Sequence, residues 1–245
     1  NDKHVEDFEI MNLDKYEELS STEGVYVDFT PLDNNTEYSE FGGYVHDGKY
    51  YFASTKIAEG AKKSKLYKWN EEPYLDIYVA DISEDGVVDI SNAKSISNEI
   101  NTDFHEATVA ITNNGQTIYF TRDNLNKRNK LSYDGEGTSH LKIYSAVRNE
   151  SGRNWVNVTE LPFNDKVYSS GHPALSVDNK TLYFVSDREG GLGQTDIYSV
   201  EIKSDSTYGN PVNLGDKINS PGREMFPFVA KDSTLYFSSD GHINL

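Results

Sequence analysis

Cysteine is absent from this 245-residue sequence, and methionine and tryptophan each occur only twice. Without cysteine the chain has neither a disulfide framework nor a thiolate metal site. The absence of cysteine does not by itself indicate the cellular compartment. No apolar stretch approaches the roughly 18 residues that a membrane-spanning helix needs. No secretory signal is recognisable either, so we expect any signal or lipid anchor to lie outside this numbering.

Positive charge is also scarce. The chain carries 23 Lys and Arg against 40 Asp and Glu, which gives a formal charge of −17. Such an excess of negative charge repels polyanions, so we expect the body of the protein to bind neither nucleic acid nor anionic membranes non-specifically. Aromatic residues, by contrast, are plentiful, with 17 Tyr and 11 Phe. That composition favours strands over helices.

Three short phrases recur along the chain in a fixed order. The first pairs Tyr with Phe in a strand-like run: Tyr51–Ser54, Tyr119–Arg122, Tyr183–Ser186 and Tyr236–Ser239. The second places Ile before Tyr after a loop: Asp76–Tyr78, Lys142–Tyr144 and Asp196–Tyr198. The third sets Glu five residues after Asn: Asn35–Glu40, Asn101–Glu106 and Asn219–Glu224, with a divergent copy at Asn164–His172. Several strands repeated at intervals of this size indicate the blades of a β-propeller.

The repeats predict an all-β propeller of four-stranded antiparallel blades, incomplete and set within a longer chain. The blades are expected at about 39–100, 101–163 and 164–218, with a partial blade at 219–245. Three and a half blades do not close a ring, because propellers usually need about 4–8. Residues 1–24 form an N-terminal segment of uncertain structure, and a strand at 25–32 is expected to close the ring. The last strand of the first blade is predicted from Val87 to Ile96.

Several of these stretches resemble the wording of a known family. They are WNEEPYLDIY at 69–78, ELPFN at 160–164, HPALSVDNKTLYFVSD at 172–187, GQTDIYSVEI at 193–202, NPVNLGDKIN at 210–219 and REMFPFVAKDSTLYFSSDGH at 223–242. They are similar to the TolB-like, Pro-Asp-type propeller repeats of OmpA-like envelope proteins in Bacteroidetes. The second unit departs from that pattern, with Thr121-Arg122 in place of Ser-Asp and Leu141-Lys142 before Ile143-Tyr144.

The resemblance implies a function and a location. Members of the family are lipid-anchored periplasmic proteins at the outer membrane, and some belong to the type IX secretion and gliding machinery. The resemblance therefore implies a non-enzymatic scaffold for other envelope proteins, such as an outer-membrane β-barrel or a secretion component. Peptidoglycan would be bound only through a domain that is not in this chain.

The alternative is a carbohydrate- or peptide-binding propeller, or a propeller enzyme, that acts at the central channel. The sequence has neither a Gly-x-Ser-x-Gly nor a His-Glu-x-x-His motif, so it predicts no catalytic residue. The acidic loops 134–136 and 187–196 do not follow the EF-hand pattern, and no metal or cofactor is predicted. Converging carboxylates in a deep channel would favour the alternative, whereas small channel residues and a flat rim would favour the scaffold.

Four polar residues are expected near one rim of the channel. They are Glu40, Glu106, His172 and Glu224, with His105–Glu106 and His172 read as equivalent in their repeats. One interpretation is a ring that binds a ligand or cation. The other is a set of hydrogen bonds that satisfy the turns between blades, since buried polar groups are normally paired.

Basic residues concentrate in two insertions that follow the Tyr-Phe phrase in the first and second units. They are Lys56, Lys62, Lys63, Lys65, Lys68, Arg122, Lys127, Arg128 and Lys130. Equivalent loops of neighbouring blades share one rim, so these side chains are predicted to form a docking surface for an acidic partner. A cluster of lysines is otherwise typical of a solvated loop.

Overall fold

The computed structural model describes residues 36–57 and 65–242. Its strands form four antiparallel sheets, each in chain order. The first contains β1 (Glu40–His46), β2 (Lys49–Ser54), β3 (Asp76–Asp81) and β4 (Lys94–Ser95). The second contains β5 (Glu106–Ile111), β6 (Thr117–Asp123), β7 (Leu141–Arg148) and β8 (Trp155–Glu160). The third contains β9 (Ser170–Leu175), β10 (Thr181–Ser186), β11 (Asp196–Glu201) and β12 (Val212–Asn213), and the fourth contains β13 (Glu224–Val229) and β14 (Leu235–Ser239).

The first strands of the sheets lie side by side around a common centre. β1 contacts β5, β5 contacts β9, and β9 contacts β13. Sheets arranged radially with their first strands innermost are the blades of a propeller. The predicted all-β propeller is therefore confirmed, with three full blades and two strands of a fourth in the described part of the chain. Residues 1–24 and the predicted strand at 25–32 lie outside the described residues, and no described helix is long and apolar enough to cross a membrane.

The Tyr-Phe phrase supplies both faces of each blade. Successive side chains of a strand point to opposite sides of the sheet. Phe120 packs with Tyr51 and Trp155 between the first and second blades. Its neighbour Tyr119 packs with Phe184 between the second and third blades. The aromatic repeat thus builds the interfaces between blades.

The Asn of the third phrase acts as an extra strand partner. The Nδ2 of Asn219 donates to the carbonyl of Ile197 at 3.0 Å, and its Oδ1 accepts from the Ile197 N–H at 2.8 Å. A side-chain amide can make both bonds because it carries a donor and an acceptor, like a peptide group. The same two bonds join two further pairs, Asn101 with Ile77 and Asn164 with Ile143.

The last strand of the first blade is shorter than the predicted Val87 to Ile96. Ordered pairing is confined to Lys94–Ser95, and Ile90–Asn92 forms a 3₁₀ turn. The carboxylate of Asp89 caps that turn by accepting from the Ser91 N–H at 3.1 Å. Asp is a favoured cap because its side chain satisfies backbone donors that the turn leaves free.

Antiparallel pairing gives the propeller two different ends. Glu40 is paired with Ser54, so the inner strand begins at the end where the second strand finishes. We call this end the loop face; it carries the insertions around 65–75 and 124–140 and the linkers between blades. The opposite end, which we call the turn face, carries the tight turns around 46–49, 112–117, 176–181 and 230–234.

Candidate functional site

The predicted rim glutamates each begin an inner strand. Glu106 accepts from the Thr102 N–H at 2.9 Å and from the Thr102 hydroxyl at 2.7 Å. Glu224 accepts in the same way from Ser220, at 3.0 Å from the N–H and 2.5 Å from the hydroxyl. Glu40 accepts from Thr36. These carboxylates therefore fasten the linkers between blades, in agreement with the second interpretation of the rim.

His172 is not equivalent to these glutamates, contrary to the sequence interpretation. Ser170 pairs with Ser186 at the position where Glu106 pairs with Arg122, so Ser170 takes the glutamate position in the third blade. The guanidinium of Arg188 fills the space, donating to Ser170 Oγ at 3.2 Å. The third linker carries one more residue between Asn164 and its inner strand, and His172 is the third residue of that strand, whereas the glutamates are the first residues of theirs.

Arg122 is buried rather than exposed on a loop. Its Nε lies 3.0 Å from Glu106 Oε1, and its Nη2 donates to the carbonyls of Glu99, at 2.9 Å, and Ile100. The guanidinium also covers the rings of Phe120 and Tyr144, with its centre 5.1 Å and 5.0 Å from their centroids. Arg122 is therefore removed from the predicted docking surface, because its guanidinium is buried beside Glu106 and its Nη2 bonds the linker carbonyls.

The inner strands share a backbone irregularity that was not predicted from the sequence. The third residue of each inner strand has a positive φ: Gly42 at 70°, Thr108 at 42°, His172 at 53° and Phe226 at 53°. Each lies where the pairing with the second strand shifts register. We call these four residues the collar. Left-handed backbone is costly for Thr, His and Phe, and such strain is frequent where side chains are aimed at a ligand.

The collar forms one end of a cavity of about 760 Å³ that all four inner strands line, and the lining continues to the turn face. The rings of His172 and Phe226 meet edge to face at 4.2 Å, and those of Phe41 and Phe226 at 6.3 Å. Val45 and Val177 are exposed along the wall. The volume and the mostly apolar wall are typical of a small-molecule or side-chain pocket.

Few polar groups lie deep in this cavity. The Nδ1 of His172 is buried without a hydrogen-bonding partner among the described residues, and burial lowers the pKa of this ring to about 4. The neutral imidazole can therefore offer one donor and one acceptor at physiological pH. Among the described lining residues only Asp47 carries a carboxylate, and it lies in a turn on the turn face.

The described parts of the insertions, 65–75 and 124–140, form hydrogen-bonded turns on the loop face. In the first, Leu66 bridges Pro73, and the indole of Trp69 at the tip of this hairpin is 83% exposed. In the second, Leu125 bridges Leu131, and the backbone N–H of Asn126 donates to the carbonyl of Lys130 at 2.8 Å. These bonds therefore fix the backbone of both turns on one face, and the side chains project from it.

The remaining predicted docking residues divide into two groups. Lys56 donates to the carbonyl of Ser91 at 2.9 Å, and Lys65 pairs with Asp103 at 2.8 Å. Lys62 and Lys63 lie outside the described residues. Four further cations are exposed, and none has an ion pair within the described part of the chain: Lys68, Lys127, Arg128 and Lys130. The adjacent Trp69 and Tyr133, which is 58% exposed, were missed by sequence reasoning, although they stand among these lysines.

His105 connects the first insertion to the second blade. Its Nδ1 accepts from the Leu75 N–H at 3.1 Å, and its ring lies 4.7 Å from that of Tyr67 and 4.6 Å from that of Tyr74. Burial lowers the pKa of His105 to about 4, so the ring is neutral at physiological pH. Nearby, Asp123 accepts from the His105 N–H at 3.1 Å, and burial raises the pKa of Asp123 to about 6.

Asp76, at the start of β3, makes stability depend on pH. Burial raises its pKa to about 7, with a smaller contribution from the negative charge of Asp103. Ionising this carboxyl costs more free energy in the folded state than in the unfolded state. The free energy of unfolding therefore falls as pH rises from about 4 to about 7.

We expect Asp76→Asn to raise the free energy of unfolding by about 2 kcal/mol at pH 8 and to leave it unchanged below pH 4. Urea unfolding across this pH range measures the effect. Asp81→Asn at the exposed end of the same strand is the matched control and should show no such rise. A stabilisation that is equal at pH 4 and pH 8 would contradict the assignment.

No family model matches the chain, and no curated protein matches it. Solved structures with a similar fold include a TolB protein from Agrobacterium tumefaciens, 15% identical over 84% of this chain and 72% of that one, TM-score 0.44. An α-L-arabinofuranosidase from Lactobacillus brevis is 12% identical over 83% of this chain and 65% of that one, TM-score 0.48. A puromycin-hydrolysing peptidase from Mycobacterium tuberculosis is 14% identical over 82% of this chain, TM-score 0.46, and this chain spans only 28% of that protein.

Proposed function

We propose that this propeller is a non-enzymatic protein-interaction scaffold whose loop face binds its partner. The observation that carries the proposal is the set of exposed cations and aromatic side chains on ordered turns of that face. These are Lys68, Trp69, Lys127, Arg128, Lys130 and Tyr133. A surface that is ordered before binding loses little conformational entropy on association, and Trp, Tyr and Arg are frequent among residues that dominate interface energies.

Charge supports the same choice of face. The chain carries a net charge of −17, yet these four exposed cations stand on two neighbouring insertions. Complementary charge speeds association with an acidic partner and selects against other partners. The linker glutamates Glu40, Glu106 and Glu224 are not part of the proposed partner surface, because each of them bonds within its own linker.

The cellular setting of the proposal follows from the family resemblance. The scaffold would belong to an OmpA-like protein of the periplasm that is associated with the outer membrane. Its partners would be other envelope proteins, such as an outer-membrane β-barrel or a component of type IX secretion and gliding. Peptidoglycan would be bound by a different domain of the same protein.

The test is affinity purification of the tagged native protein from detergent-solubilised envelopes, followed by mass spectrometry. We expect the fourfold variant K68E/K127E/R128E/K130E to lose companions that the parent protein retains, with an unchanged melting temperature. A threefold variant of the turn face, R153E/K180E/K203E, is the control, because these cations are also exposed and none of them lines the central cavity. Retention of every companion by the loop-face variant would refute the scaffold proposal.

The second candidate is a carbohydrate- or peptide-binding propeller, or a propeller enzyme, that works at the central channel. The collar and the cavity of about 760 Å³ favour it. Val177→Lys places a charge on the apolar cavity wall without changing the loop face. Loss of binding in this variant, with binding retained in the loop-face variant, would select the channel.

A further inference from the structure

A second concave surface lies on the loop face, beside the second blade. It is a polar groove of about 980 Å³. Its lining comes from the linker 98–103, from the insertion turn 125–130, and from Asn157 and Val158 of β8. We call it the linker groove.

Two of the five charged residues that line the linker groove are paired, and two cations are not. Arg122 is paired with Glu106, and Asp103 is paired with Lys65. Arg128 and Lys130 line the groove and have no ion pair in the described part of the chain. Glu99 is the remaining carboxylate of the lining, so the groove keeps a positive balance on a strongly acidic protein.

The position of the two cations is fixed by the turn that carries them. Asn126 Oδ1 accepts from the Arg128 N–H at 2.8 Å, and the Asn126 N–H donates to the Lys130 carbonyl at 2.8 Å. The loop therefore does not need to order itself when a ligand arrives. The exposed side chains remain free to meet carboxylates.

The remaining lining is suited to an extended peptide. Asn98, Asn129 and Asn157 supply side-chain amides, and an amide can both donate to and accept from a peptide backbone. Leu125 and Val158 add apolar contact. A flat lipid surface does not enter a groove, and the groove offers a sugar ring no exposed aromatic face to stack on, because Tyr144, the aromatic residue of the lining, is buried beneath Arg122.

We propose that the linker groove binds an extended acidic peptide segment of the partner, with carboxylates on Arg128 and Lys130 and backbone groups on the asparagine amides. This assignment rests on the proposed scaffold function and gives it a location. The segment would reach the groove along the loop face, where the Lys65–Asp103 pair joins the first insertion to the groove wall.

The experiment uses fluorescence anisotropy with a labelled peptide of alternating Glu and Ala, and a Lys-Ala peptide of the same length as the probe control. We expect the parent protein to bind only the acidic peptide, more weakly as salt rises towards about 0.15 M. R128Q/K130Q should weaken binding about tenfold or more, because each cation makes a charge-assisted contact. R153Q/K203Q, on the turn face and away from the central cavity, is the matched control and should bind like the parent.

Three outcomes would overturn the assignment. They are equal binding by R128Q/K130Q and the parent, equal binding of the Lys-Ala peptide, and binding of a sulfated oligosaccharide in place of the peptide. An unchanged melting temperature of R128Q/K130Q excludes unfolding as the cause of a loss. If the peptide fails but the fourfold loop-face variant still loses its native companions, this inference falls and the scaffold stands. If the peptide binds but those companions are retained, the scaffold falls and the groove stands.

Discussion

Replacing Arg122 with methionine is expected to lower the free energy of unfolding by about 3–5 kcal/mol at pH 8. The substitution keeps the apolar stem over Phe120 and Tyr144 but removes the charge next to Glu106, a side chain that is 0% exposed. Burial already raises the pKa of Glu106 to about 8, and the positive charge of Arg122 is the main influence that lowers it. The Ile100 carbonyl also loses its donor.

The pH dependence of this loss identifies its cause. Without Arg122 the pKa of Glu106 rises further, so Glu106 stays protonated when folded and ionises when unfolded above about pH 4.5. Because Glu106 of the parent protein is itself protonated well below pH 8, the deficit of Arg122→Met should be largest at and above about pH 8, and smaller and nearly constant from about pH 7 down to pH 4. Urea unfolding of Arg122→Met and of Glu106→Gln/Arg122→Met gives the comparison, and the double variant should recover most of the loss at pH 8. Arg128→Met, on an exposed turn, is the control, and a single-variant loss below about 1 kcal/mol would contradict the prediction.

Asn219→Ala is expected to cost about 1–3 kcal/mol, because it leaves the N–H of Ile197 without its partner and removes one of the two bonds to the Ile197 carbonyl, which keeps only the Leu214 N–H at 3.1 Å. Asn219 is 2% exposed and Ile197 is 0% exposed, so water does not replace the lost bonds. Asn219 also donates to Asn213 Oδ1 at 2.8 Å, which ties in the last strand of the third blade.

Thermal or urea unfolding measures this loss. Asn164→Ala should cost a similar amount, since it removes the same two bonds from Ile143. Asn210→Ala, at an exposed position close in sequence, is the matched control. If Asn219→Ala and Asn210→Ala were equally stable, the amide would not contribute to holding the blade.

The fold could be predicted from the sequence because the repeated residues perform repeated backbone tasks. Asn at the linker bonds the Ile of the Ile-Tyr phrase, Glu at the inner strand bonds the linker, and the Tyr-Phe pair fills both blade interfaces. Each task needs one side-chain chemistry at one position, so the phrases survive while the loops between them differ. The same reasoning explains why Asn164 keeps its bonds although the third copy lacks the glutamate.

The candidate sites were less predictable, for physical reasons. Arg122 follows the Tyr-Phe phrase and looks like the first residue of a basic loop, but an acidic group opposite it in the sheet draws it inward. The collar has no compositional signal, because Thr, His and Phe are not residues that favour positive φ. Only its constant offset, two residues after the start of each inner strand, marks it.

The collar has a consequence for solubility. Each inner strand is the end strand of its sheet, so its free backbone groups face the channel and could template another strand. A left-handed residue interrupts that row of donors and acceptors at the same level in all four sheets. An incoming strand would meet a break in register there and could not extend its pairing along the edge. The bulges therefore disfavour strand addition and aggregation at the channel, while they leave its cavity open to side chains and small ligands.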